Sequence, residues 1–183
     1  VFDHDLAELL VAANREVLLS RIPFLAKASG EVIAMLVTAL DTKTCDVGET
    51  IITKGDHTTD VFFIDKGKVG VYFDDMSADA QPELKLGAGS FFGEIALLED
   101  SPRSSTIKAE TQCRLYVLTK ASFDEVLQDH PVFAADFRKA ADERMQKSSE
   151  MLVSRIPFFA KADAAVIKML VSRLSSKQYM AGD

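Results

Sequence analysis

The chain has 183 residues, 48% of them hydrophobic and 27% charged, which supplies a core and speaks against disorder. Its formal charge of -7, from 28 acidic against 21 basic residues, speaks against the concentrated positive footprint of a DNA- or RNA-binding surface. No apolar run reaches the roughly 20 residues of a membrane-spanning helix, and no basic segment leading into an apolar stretch reads as a secretion signal.

Apolar residues recur at helical spacing over 5–19 (Leu6, Leu9, Leu10, Ala13, Val17) and over 29–40 (Val32, Met35, Leu36, Leu40). Ser29 is placed to start the second of these helices, and Pro23 keeps the two apart. From Thr44 the period shifts to two. Strands are predicted at Glu49–Thr53, Val61–Asp65, Lys68–Phe73, Glu83–Leu86, Ser105–Ala109 and Arg114–Leu118. Turn signals separate them: Lys54-Gly55-Asp56, Lys66-Gly67 and the polar stretch Asp74–Pro82. Helical spacing returns at Lys120–Leu127 and again after Pro131, through Phe133, Phe137 and Ala140–Met145, giving a helix from Pro131 to Ser148. Short strands bracketed by helices predict a mainly β fold, an antiparallel jelly-roll β-barrel with N- and C-terminal helices around it. No βαβ alternation is present.

The chain also repeats itself. SRIPFLAKASGEVIAMLVTALDTKTCDVGE at 20–49 returns as SRIPFFAKADAAVIKMLVSRLSSKQYMAGD at 154–183, without a gap and with roughly half the positions identical. An offset of 134 residues is the length of a domain, not of a solenoid unit of ~20–50 residues. The expected organisation is a helical lead-in at 1–19 (either the closing helix of a preceding unit or a generic amphipathic connector), a complete unit at 20–150 and the start of a second copy at 151–183. Cys45 and Cys113 have no metal-ligand spacing and read as buried thiols of a reducing cytosol.

One segment carries chemistry. Between Gly89 and Ile107 the strands give way to a short helix-competent piece, Glu94–Leu98, followed by a Pro102 turn. Gly89 and Gly93 let the backbone turn tightly and approach a ligand. The backbone N–H groups at the start of such a helix attract a phosphate, to which Arg103 can add charge-assisted hydrogen bonds. A carboxylate at the helix start, Glu94, suits a ribose hydroxyl instead. Phe91, Phe92, Ile95, Leu97 and Leu98 read first as core. His4, His57 and His130 lack metal spacing, Glu99 and Asp100 read as a solvated acidic turn, and the KGDHTTD loop at 54–60 lacks calcium-loop spacing.

FGEIALLEDSPRSSTIKAET resembles the phosphate-binding cassette of the cyclic-nucleotide-binding domain family, as found in kinase regulatory subunits, cGMP-dependent kinases and cyclic-nucleotide-gated channels. Gly48, Gly55 and Gly67 match turn positions of that family's barrel. The resemblance covers 20–150 and implies a non-catalytic sensor for cAMP or cGMP. It implies that Glu94 takes the ribose 2′-hydroxyl, that Arg103 pairs with the cyclic phosphate, and that Gly93, Ile95, Ala96, Ser104 and Ser105 line the pocket. Ser104 stands where some cGMP-preferring members carry a hydroxyl. Val71, Leu86 and Ile107 are candidate base contacts, equally explained as inward-facing strand residues. The implied setting is cytoplasmic, without nucleic acid or membrane insertion. The implied partner is a kinase catalytic domain or another output domain, in cis or in trans, with the helix from Pro131 closing over the base. A channel sensor, or a sensor of another purine ligand, is the alternative.

Overall fold

The computed structural model describes residues 2–22, 25–73, 81–159 and 161–173. It separates into two compact units, Val1–Arg138 and Lys139–Asp183. Of the expected boundaries, position 19 falls at the end of the first helix and position 150 inside the longest one.

In the first unit, helix α1 (Phe2–Ser20), a 3-10 turn (Leu25–Lys27) and helix α2 (Gly30–Ala39) precede the sheets. α2 begins where the sequence places it, with the Val32 amide donating to Ser29 Oγ at 3.3 Å as an N-cap. Ile22, Leu25, Val32 and Leu36 on these elements are buried.

Among the described residues eight antiparallel strands follow: β1 (Asp41–Cys45), β2 (Thr50–Ile52), β3 (Val61–Lys66), β4 (Lys68–Tyr72), β5 (Leu84–Gly87), β6 (Phe91–Phe92), β7 (Thr106–Ala109) and β8 (Cys113–Leu118). They form two four-stranded sheets, β1-β8-β3-β6 and β2-β7-β4-β5. This is a double-sheet jelly roll, so the expected barrel takes the form of two sheets. Two strands were not foreseen. β1 is largely polar and exposed, and becomes a strand by pairing along its whole length with β8; β6 has only two residues, too few to show a period.

Helices lie on one face of the β1-β8-β3-β6 sheet. Directly opposed residues of antiparallel strands share a face, so Phe91, Phe63, Tyr116 and Thr42 do. On that face Arg15 of α1 sits over the Tyr116 ring at 5.4 Å, and Phe91 meets Phe137. Phe62 and Phe92 stack at 5.1 Å on the opposite face. With both faces covered, the β3 residues Val61 to Ile64 are all buried and read as a continuous apolar run.

A short helix α3 (Glu94–Glu99) interrupts the strands, and α4 (Lys120–Asp129) and α5 (Pro131–Arg155) follow β8. α5 runs seven residues past the expected end at Ser148, because no proline or glycine stops it before Pro157. In the second unit, α6 (Ala164–Val171) repeats α2, and its cap is Asp163, at the position that matches Ser29. The Ala165 amide donates to Asp163 Oδ1 at 2.7 Å. The rest of the second copy, 174–183, lies outside the described residues.

Candidate functional site

The cassette is assembled by Gly93 and Arg103, at the two ends of the loop that contains α3. Gly93 caps α3 in the left-handed region at φ +90. A side chain there is strained by the backbone alone, and a Cβ would also lie 2.7 Å from both Arg103 Nη1 and the Asp60 carbonyl oxygen. Only glycine permits this approach.

Arg103 is 4% exposed, although arginine is almost never fully buried without partners. Its guanidinium donates from Nε to Thr58 Oγ1 (3.0 Å), from Nη1 to the Gly93 carbonyl (2.7 Å) and from Nη2 to the Asp60 carbonyl (2.8 Å). Its backbone is held as well: the Arg103 amide donates to the Asp56 carbonyl at 2.8 Å, and the Gly55 amide donates to the Arg103 carbonyl at 2.9 Å. Arginine has five N–H donors, so two keep no partner among the described residues. Burial pulls the guanidinium pKa below its ordinary value, and the charges of Asp60, Glu94 and Asp56 oppose that shift.

Glu94 opens α3 and is 3% exposed. Its charge is among those acting on Arg103, so the two ionisable residues singled out in the sequence share one buried neighbourhood. Ala96 and Ser105 are buried, Ile95 is half-buried, and Ser104 is exposed beside the buried arginine. Thr106 is also buried and accepts from the Lys54 amide at 3.0 Å, a further tie between the cassette and the β2–β3 loop.

The three candidate base contacts share a surface. Val71 is opposed to Ile107 on one side and Leu84 on the other, and Leu86 is opposed to Val69. Alternation along each strand then puts Val71, Leu86 and Ile107 on one face of the β2-β7-β4-β5 sheet. The sequence reading missed the loop at 55–60 as part of the site. That loop reads in the sequence as a turn without metal or calcium spacing, and its role as the seat of Arg103 depends on contacts across 43 to 45 residues of chain.

The family model described as "Cyclic nucleotide-binding domain" matches residues 42–130, just under half of the chain, and includes the whole cassette. Those residues are a cyclic nucleotide-binding domain. The domain so identified runs from β1 to the residue that caps α4. The potassium/sodium hyperpolarization-activated cyclic nucleotide-gated channel 2 of Mus musculus is 32% identical over 142 residues, 78% of this chain and 16% of that protein. Channel 1 of Homo sapiens gives 32% over 142 residues, 15% of its length. The chain thus spans less than a fifth of these curated relatives. Among solved structures, the cAMP-bound PfPKA-R (141-441) aligns at TM-score 0.59 and 24% identity, over 92% of this chain and 56% of that one. The N-terminal domain of a transcriptional regulator from Streptomyces coelicolor A3(2) aligns at 0.60 and 24%, over 72% and 91%. At these identities the structural likeness is one of fold. No helix among the described residues is long and apolar enough to cross a membrane.

Proposed function

We propose that the domain senses cAMP or cGMP through Arg103 and Glu94, and passes the ligand state along α5 to a neighbouring unit. The observation that carries this reading is a guanidinium 4% exposed, fixed against the Gly93 bend, with two N–H groups that have no partner among the described residues. Arg103 takes the cyclic phosphate, aided by amides around Gly93, Ala96 and Ser104. Glu94 accepts from the ribose 2′-hydroxyl. The face carrying Val71, Leu86 and Ile107 receives the base.

The relay has a physical route. Phe91 lies two residues before Gly93 and meets Phe137 of α5 at 6.4 Å between ring centroids. Phe137 also packs on Phe123 of α4 at 4.5 Å. A cassette drawn toward a phosphate changes the seat of Phe137, and α5 shifts with it toward a lid over the base. The size of that shift is set by the ligand's differential affinity for the two helix positions. A tandem, kinase-regulatory setting in the cytoplasm is favoured by α6, which restarts the α2 pattern after α5, and by two buried free thiols. The 32% identity to channel relatives favours a channel sensor as the second reading.

The test is calorimetric titration of the chain with cAMP, cGMP and a purine nucleoside. Arg103→Ala should weaken cyclic-nucleotide binding by about 2–5 kcal/mol, the range for removing one partner of a buried charge pair. Unchanged affinity in that variant overturns the role of Arg103. Ser104→Ala should cost cGMP more than cAMP, because an exposed hydroxyl beside the phosphate site can reach only a base that carries a matching group. Equal losses for the two ligands remove Ser104 as a selectivity residue.

A further inference from the structure

We propose that Thr58 is a positioning residue for phosphate recognition, acting by fixing the plane of the Arg103 guanidinium; this rests on Arg103 as the phosphate ligand. Four contacts seat Arg103 on the β2–β3 loop, and three of them use backbone atoms: the Asp56 carbonyl, the Gly55 amide and the Asp60 carbonyl. The fourth is the Thr58 hydroxyl, which accepts from Nε at 3.0 Å. It is the one contact of this set that a change of side chain in the loop can remove.

The geometry explains why that contact matters. A guanidinium is planar, and its value for a phosphate lies in the direction of its N–H fork. Two carbonyls hold the Nη1 and Nη2 ends, at Gly93 and Asp60. An acceptor at Nε supplies the third point, so the plane cannot rotate about the line joining the other two. The two remaining N–H groups then keep a fixed direction before any ligand arrives, and ordering cost is removed from binding. Thr58 itself is exposed, so its side chain contributes contact to Arg103 rather than to the core.

Three variants of the full chain, Thr58→Val, Thr58→Ser and Arg103→Ala, are titrated calorimetrically with cAMP and cGMP, and their ligand-free thermal unfolding is recorded. Thr58→Val keeps the shape and loses the acceptor, and should bind both ligands about three- to tenfold more weakly, as expected for one net hydrogen bond. Thr58→Ser restores the acceptor and should bind like the wild type, and all three Thr58 forms should share one ligand-free Tm. Wild-type affinity in Thr58→Val, or no recovery in Thr58→Ser, overturns the proposal. A Tm lowered in Thr58→Val and restored in Thr58→Ser also overturns it, since the hydroxyl then serves the fold. Unchanged binding in Arg103→Ala overturns instead the phosphate reading on which it rests.

Discussion

Strand β7 is flanked by two charged residues with opposite kinds of company. Arg103 lies three residues before it, 4% exposed, and its three side-chain hydrogen bonds go to a hydroxyl and two peptide carbonyls. Glu110 directly follows it, with a side chain 25% exposed, and accepts from Lys85 Nζ at 2.8 Å and Tyr72 Oη at 3.0 Å. Glu110 meets its opposite charge on the chain itself. Arg103 feels the charges of Asp60, Glu94 and Asp56, yet its hydrogen bonds go to dipoles, which fix its direction and leave two N–H groups unengaged among the described residues. The hydrogen bonds of Glu110 include its counter-charge, and those of Arg103 do not.

The sharpest way to break this contrast is Gly93→Ala. The substituted residue must hold φ +90, a conformation that costs about 1–3 kcal/mol outside glycine, and its Cβ meets Arg103 Nη1 and the Asp60 carbonyl at 2.7 Å. The Asp60 carbonyl is backbone and cannot swing aside, so the bend itself must shift, and Arg103, bonded to both the Gly93 and Asp60 carbonyls, is displaced with it. We expect lower stability in urea unfolding together with weaker cyclic-nucleotide binding by calorimetry. Full affinity in this variant means the bend does not set the position of Arg103. On the Glu110 side, a Cβ at Gly70 would lie 2.8 Å from Pro82 Cβ, 3.0 Å from Glu110 Oε1 and 3.1 Å from Tyr72 Cε2, so the neighbours must shift there as well, but without a positive φ to add strain.

The same contrast marks what the amino-acid order reveals. Glu94 and Arg103 were legible because they stand in one continuous run with Gly93, where the chemistry of each residue is visible beside its neighbours. The strands with an apolar alternation were legible for a similar local reason. β1 was not, since only Cys45 of its five residues is buried and its strand character comes from β8, some 70 residues on. Nor was the facing of Cys45 and Cys113, directly opposed across β1 and β8, where burial pushes the Cys45 thiol up to about 11. Thr58 was hidden because its meaning lies in an arginine 45 residues away. What a segment does alone can be read from it; what it seats cannot.

The smallest expected effect is that of Glu110→Gln. Lys85 is mostly in water, so the ion pair contributes about 0–1 kcal/mol, and the loss at neutral pH should stay within that range. The sign of its pH dependence is fixed by the carboxyl itself. The hydrogen bond from Lys85 holds its pKa below the ordinary 4.5, against a smaller opposing effect of burial, with Tyr72 adding to the lowering. A carboxylate depressed on folding stabilises fully above its unfolded pKa and loses that contribution as pH falls through its folded one. The difference in urea midpoint between wild type and Glu110→Gln should therefore shrink in acid, while cyclic-nucleotide affinity stays unchanged. A difference that grows in acid contradicts the lowered pKa. A loss of affinity shows instead that the two ends of β7 act on one site, and the contrast between them fails.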